Sequence, residues 1–393
     1  MPIALPDPTL YLPRSGEPSL RWGIVGPGWI AGEFATSLKA HTAQRLVAVG
    51  SRSFDNARAF AARFGAEEAV GSVEALVTHP EVDVVYVATP HSGHAEVALA
   101  AIAAGKHVLI EKPITVTAAE AREVFAAARA AGVLVMEAMW SRYLPQTSVI
   151  RALVDGGDLG DVRAVAADHS QQIIRPADHR MYAPELGGGA LLDLGVYPAQ
   201  FITMVLGAPT AIEARGTVTA TGVDASAAVV STHAGGAVST LYTSLLERTP
   251  TTATISGTSA FLQVEGSFYN PTSFTVTGAA HGSPALRWTD PTMLRGFAAL
   301  SYEATALARF VGEGRTESPV HTHAETVAVM ELLETARAQV LAAAVPAPPQ
   351  DLAAATPAHG EAPASGTGAD DRAPVAAGVA ATAGAAAADG ADR

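Results

Sequence analysis

Between residues 20 and 140, short apolar runs alternate with helical stretches, and few folds admit that alternation. Residues 21–25, 45–50, 82–88, 107–110 and 133–137 read as strands. Residues 29–40, 56–64, 72–77, 95–104 and 118–131 read as helices between them. Residues 82–88 (VDVVYVA) are almost continuously apolar, as a strand buried on both faces of a parallel sheet requires. The pattern predicts an α/β fold whose N-terminal part is a doubly wound parallel sheet over residues 20–140. After Trp140 the pattern changes. A helix near 145–155, a strand near 162–171 and a loop to Gly189 precede a helix to about Leu206. Thr- and Val-rich strand-like runs fill 211–277, and helices at 298–310 and 324–341 close the body. Residues 141–345 are therefore expected to form an α+β domain with a large, mainly antiparallel open sheet.

The flanks differ in kind. Residues 346–393 hold 19 Ala among 48 residues, no aromatic side chain and six acids against two Arg. Such a stretch has little to bury and is expected to be a disordered tail. Residues 1–19 carry five prolines and no apolar run, so they are expected to be a second disordered segment and not a signal peptide. The chain has no cysteine, which excludes disulfides, thiolate metal sites and a cysteine nucleophile. Its net charge of −13 argues against nucleic acid or an anionic membrane as partner. A cytoplasmic location is the default expectation.

Gly26-x-Gly28-x-x-Ala31 lies between the first expected strand and helix, the context in which this spacing marks a Rossmann dinucleotide site. Gly26 permits the tight turn, Gly28 lets the backbone approach a pyrophosphate, and the helix N-terminus stabilises its charge. The second strand ends in Gly50-Ser51-Arg52, where an NAD site would carry an acid for the ribose 2′-hydroxyl. An arginine fork there suits a 2′-phosphate, so NADP is expected over NAD. Arg58 is a second candidate cation for that phosphate, or a solvent-facing helix residue. Thr89, His91 and His94 follow one expected strand, and Glu111-Lys112-Pro113 follows another, at the edge where open α/β sheets bind ligands. No metal is expected: His91 and His94 lack a third ligand pattern, and His321 and His323 alternate on an extended segment. Lys112 beside a cofactor could donate or polarise, and the following Pro could set a cis peptide. In the run 185–198 (ELGGGALLDLGVYP), Asp193 and Tyr197 stand four apart, on one face if the helix has started by Asp193. Taken alone, that pair reads as a helix-start acid and a packing aromatic.

Together these pieces resemble the glucose–fructose oxidoreductase / inositol dehydrogenase / MocA family. GPGWIA at 26–31, VYVATPHSGHAEVALAAIAAGKHVLIEKP at 85–113, MEAMWSRYLP at 136–145 and the 185–198 run carry the resemblance across about 20–345. The MEAMW and LDLGVYP variants are most similar to its dihydrodiol dehydrogenase / NADP-dependent D-xylose dehydrogenase branch. The resemblance implies an oxidoreductase that moves a hydride between NADP and a secondary alcohol or carbonyl of a sugar, cyclic polyol or trans-dihydrodiol. It implies Gly26, Gly28, Trp29, Ile30, Ser51, Arg52, Thr89, His94, Glu111 and Lys112 at the cofactor. It implies Lys112, Asp193 and Tyr197 in catalysis, with Asp193 bonded to the substrate or tuning Lys112. Trp140 would line the substrate pocket. Tyr197 stands where inositol-dehydrogenase-like members have histidine, so its proton transfer needs Lys112. The Thr/Val-rich sheet would form a homodimer or higher homo-oligomer. Alternatives are an NAD-using or tightly cofactor-bound sugar oxidoreductase, and a non-catalytic NADP-binding sensor.

Overall fold

The computed structural model describes residues 4–348. Its first half runs β1 (Arg21–Val25), α1 (Trp29–His41), β2 (Arg45–Gly50), α2 (Phe54–Phe64), β3 (Glu68–Val70), α3 (Val73–Val77), β4 (Val84–Val87), α4 (His94–Ala103), β5 (His107–Glu111), α5 (Ala118–Ala131) and β6 (Val135–Ala138). The strands form a parallel six-stranded sheet in the order β3-β2-β1-β4-β5-β6. β4 is buried along its whole length, consistent with helices on both faces of the sheet. Strand order reverses between β1 and β4, and the loops leaving their C-terminal ends flank the crevice where such sheets take ligands. Trp22, Phe34 and Tyr86 pack together in the core, with Phe34 and Tyr86 stacked at 4.1 Å between centroids. The sequence reading missed β3, whose three residues are too few to show periodicity.

The second half runs α6 (Pro145–Asp155), β7 (Val162–Ser170), α7 (Val196–Leu206), β8 (Pro209–Val218), β9 (Asp224–His233), β10 (Val238–Ser244), β11 (Ala253–Gly257), β12 (Ala260–Val264), β13 (Ser273–Gly278), β14 (Ala285–Thr289), α8 (Leu300–Gly312) and α9 (His323–Ala343). Its sheet has the order β14-β13-β12-β11-β7-β10-β9-β8. Every pairing is antiparallel except β7 with β10. α7 and α9 cover one face, while α8 and α9 also reach back to α1 and α5 of the first half. β14 was missed because its residues are mostly exposed on an edge.

Several helix starts follow the capping rules. Ser53, Ser72, Thr117 and Thr322 accept backbone N–H groups of α2, α3, α5 and α9, and Thr117–Glu120 and Thr322–Glu325 are full capping boxes. α1 differs, since its cap is Gly28 and no side chain occupies its first N–H groups.

Two expectations about the flanks need correction. Residues 4–19 carry no helix or strand, yet they lie against the body. Tyr11 is buried between Tyr143 and Phe310, and the Thr9 N–H donates to Ser148 Oγ at 2.9 Å. Composition missed this because one aromatic anchor and a proline-stiffened backbone are enough to hold an extended strap. Of the segment 346–348, the Ala347 N–H donates to the Val218 carbonyl at 2.7 Å, so pairing with β8 continues past residue 345. The rest of the expected tail lies outside the described residues. Residues 184–206 are apolar enough to cross a membrane by composition, but that stretch is 83% buried in the body.

Candidate active site

The site forms where the C-terminal edge of the parallel sheet meets the segment entering α7. β1 ends in the turn Gly26–Gly28. Gly26 sits at φ +90°, and a Cβ there would lie 2.5 Å from the Ala88 carbonyl oxygen. Gly28 faces open space within 4 Å, directly beneath the uncapped N-terminus of α1. That cradle of backbone N–H groups fits a dinucleotide pyrophosphate. Trp29 and Ile30 open α1 beside it. Ser51 and Arg52 follow β2, and Arg52 is exposed without an ion pair among the described residues. Arg58 is spent on Asp55, at 2.9 Å.

β5 delivers Glu111 and Lys112 to the same edge, and the Lys112–Pro113 peptide is cis. Lys112 Nζ donates to the main-chain carbonyl of Asp193 at 2.8 Å and lies 5.1 Å from the centroid of the Tyr197 ring. Trp140, just beyond β6, donates Nε1–H to Tyr197 Oη at 3.1 Å. That bond uses an acceptor site of the phenol and leaves its own proton to point elsewhere. Burial, then the neighbouring Tyr269 and Glu111, raise the Tyr197 pKa well above its ordinary value, so the phenol keeps its proton at neutral pH.

The structure corrects several expected roles. The Asp193 carboxylate does not reach Lys112. It accepts Arg180 Nη1 at 3.0 Å, with His91 Nε2 at 3.6 Å. Burial alone would raise that carboxyl; the Arg180 and Lys112 cations overcome it and hold it well below the usual carboxylate range. Burial pushes His91 down to about 3, so the ring is neutral at pH 7, and its Nδ1 lies 2.9 Å from the Gly187 carbonyl. His94, expected at the cofactor, is fully buried between the Pro113 and Thr89 carbonyls at 2.9 Å each. It ties the β4–α4 and β5–α5 loops together. The Glu111 carboxylate is likewise taken, by Tyr86 Oη and by the Lys112 N–H at 3.1 Å. Trp140 does not open onto the crevice. It is 2% exposed and covered by Phe297, which stacks on it at 5.9 Å and meets Trp29 edge-on at 5.1 Å. Phe297 and Trp29, at 38% and 37% exposure, are the exposed rings of this cluster. Thr89 follows β4 at the expected edge, its hydroxyl buried and without a partner among the described residues.

Sequence reasoning missed Arg180, His169, Tyr269 and Phe297. Tyr269 stacks on Tyr197 at 4.3 Å, and His169 packs on both rings at 5.4 and 4.6 Å. These residues come from a strand, a loop and two short helical turns between positions 169 and 297, with no spacing that links them. Among the described residues no group of His, Cys, Asp or Glu could hold a metal. His321 bonds Thr326, whereas His323 bonds the Val135 carbonyl and stacks on Phe125.

A glycine cradle at a strand-order switch point, beside a lysine and a protonated tyrosine, defines the class: an oxidoreductase that works with a nicotinamide dinucleotide. Residues 20–139 match the oxidoreductase family with an NAD-binding Rossmann fold, and residues 147–263 match the GFO/IDH/MocA C-terminal domain. Trans-1,2-dihydrobenzene-1,2-diol dehydrogenase of Mus musculus is 38% identical over 327 residues, covering 81% of this chain and 96% of that protein. KijD10, a 3-ketoreductase from Actinomadura kijaniata solved with NADP and TDP-benzene, is 28% identical with a TM-score of 0.72. That match covers 82% of this chain and 98% of KijD10. Levoglucosan dehydrogenase shares the fold, with a TM-score of 0.74 at 21% identity over 84% of this chain and 98% of its own. The chain belongs to the GFO/IDH/MocA oxidoreductase family, and it is an NAD(P)-dependent dehydrogenase or reductase acting on CH–OH groups.

Replacing Arg180 with Leu removes the main cation beside the buried Asp193. Burial then raises the carboxyl, which takes up its proton at a higher pH than in the parent. The acid limb of the kcat/KM profile is therefore expected to move to higher pH, and an unmoved limb would show that Asp193 ionisation does not govern turnover.

Proposed function

We propose that this enzyme uses NADP to interconvert a secondary alcohol and a carbonyl on a sugar, cyclic polyol or trans-dihydrodiol. The observation that carries the reading is the convergence of Lys112 Nζ and the Tyr197 phenol at the sheet edge that also holds the Gly26–Gly28 cradle. The cradle and the first N–H groups of α1 would hold the pyrophosphate, and Arg52 with Ser51 the 2′-phosphate. Once bound, the nicotinamide supplies hydride exchange with the CH–OH carbon. The protein's own task is the proton. Tyr197 Oη holds one at neutral pH and is oriented by the Trp140 N–H. In reduction the phenol donates to the oxygen that gains negative charge and is then reprotonated from solvent by way of Lys112; in oxidation it first gives its proton up along that path, and the phenolate takes the proton of the alcohol. The Lys112 ammonium stabilises the phenolate between those events. Asp193 anchors Arg180 at the mouth and contributes its main-chain oxygen to Lys112. Phe297 supplies an apolar face, which suits a flat or cyclic substrate. The relatives named for a dihydrodiol and for a 3-ketoreductase fit this class.

The enzyme is proposed to be a homodimer joined through the uncovered face of its large sheet. Val230, Val238, Tyr242 and Phe261 are exposed in register on that face. Sedimentation equilibrium should return twice the chain mass, and Tyr242→Glu with Phe261→Glu should return the chain mass; a monomeric parent would reject the interface.

Lys112→Met and Tyr197→Phe should each lower kcat by about 10²-fold or more, the scale of lost acid–base groups. Parental turnover in both, across D-xylose, D-glucose, inositols and trans-dihydrodiols, would remove them from the chemistry. Arg52→Asp should reverse the ratio of kcat/KM values for NADP and NAD, and an unchanged ratio would place 2′-phosphate recognition elsewhere.

A further inference from the structure

The segment that enters α7 is a π turn, Leu191–Gly195, followed directly by the helix Val196–Leu206. Pro198 is the third residue of that helix. In α-helical register the N–H of residue 198 would donate to the carbonyl of residue 194; in π register it would donate to that of residue 193. Proline has no N–H and serves neither. Those two carbonyls are the ones that reach into the site. The Asp193 oxygen accepts Lys112 Nζ at 2.8 Å, and the Leu194 oxygen lies 3.2 Å from His169 Nδ1.

We infer that Pro198 is a positioning residue: by withholding the N–H that the π register of this turn would aim at the Asp193 carbonyl, it leaves that main-chain oxygen to orient Lys112 beside Tyr197. The role in turnover rests on the reading of Lys112 and Tyr197 given above; the carbonyl geometry does not.

The surroundings are built to hold this turn still. Asp224, buried on β9, accepts the Leu191 N–H at 2.6 Å, and Arg337 stands 3.5 Å from its other oxygen. Gly189, at φ +122°, brings the chain so close that a Cβ would lie 2.2 Å from Asp224 Oδ1. Thr243 Oγ1 donates to the Ala190 carbonyl at 3.3 Å. The two acceptors therefore point from a pinned frame. Each also suits its donor. A neutral carbonyl holds the Lys112 ammonium without cancelling its charge, which a carboxylate would do. Gln171 Nε2 lies 3.1 Å from His169 Nε2, so the amide donates there and the ring carries its proton on Nδ1, towards Leu194. The His169 ring then stays fixed against Tyr197 and Tyr269.

Pro198→Ala tests the inference, because alanine is the best helix former and restores the missing N–H. The new amide should compete for the Asp193 carbonyl and loosen Lys112. Acetylation of Lys112 by a water-soluble amine-acylating reagent, followed by mass spectrometry, should speed up at least threefold. Lys39 and Lys106, the chain's other lysines, are the internal references and should not change. In the same variant kcat should fall about tenfold, with the KM for NADP within twofold. Lactic acid at position 198, an ester without an N–H, should restore both readouts. Unchanged Lys112 labelling in Pro198→Ala would overturn the inference, whatever happens to kcat. So would failure of the ester to restore slow labelling. If the parent turned over none of the alcohols, the proposed reaction would fall, and the labelling arm would still decide the role of Pro198.

Discussion

The hydrogen bond from the Lys112 ammonium to the Asp193 main-chain oxygen is the contact between the two halves of this protein on which the candidate site depends. Lys112 arrives on β5 of the parallel sheet, and Asp193 arrives on the turn that opens α7 against the second sheet. Each half alone carries an unremarkable feature: a lysine at a strand end and a buried helical turn. Bringing them within 2.8 Å sets an ammonium over the Tyr197 ring and gives the crevice its one cation–phenol pair among the described residues.

That arrangement survives burial because the charges around it are compensated. The Asp193 carboxylate would be costly at 6% exposure, and Arg180 offsets the cost from the mouth of the site. Behind it, Glu111 is bonded by Tyr86 and by the Lys112 N–H, so the strand end is held by its own side chain. His91 is desolvated to neutrality, and His94 lies between the Pro113 and Thr89 carbonyls, donating to one of them, so both act as ties between loops. Several polar residues that look chemical in the sequence thus turn out to hold those that remain available.

Much of the fold was readable because periodicity and glycine placement are local signals. Residues 82–88 announce a doubly buried strand, and Gly26–Gly28 between strand and helix announces the crevice. β3 and β14 escaped notice, one being too short and the other too exposed for a pattern to form. The N-terminal strap was misread because Tyr11 finds Tyr143 and Phe310 only after the chain has folded back on itself. The family resemblance named Lys112, Asp193 and Tyr197, and these three residues lie in contact with one another. The partner each would take was not identifiable from spacing.

The alternating strands and helices, the glycine turn and the absence of cysteine settled the fold class and ruled out thiol chemistry before any contact was known. Those properties follow from local sterics, burial periodicity and composition, each of which one stretch of chain carries by itself. Long-range packing settled that Lys112 bonds a carbonyl and not a carboxylate, that Arg180 faces Asp193, that Phe297 covers Trp140 and that His94 is a tie. Each of those pairs spans a gap in sequence that only the docking of one sheet against the other closes, and no local rule encodes which donor reaches which acceptor across it.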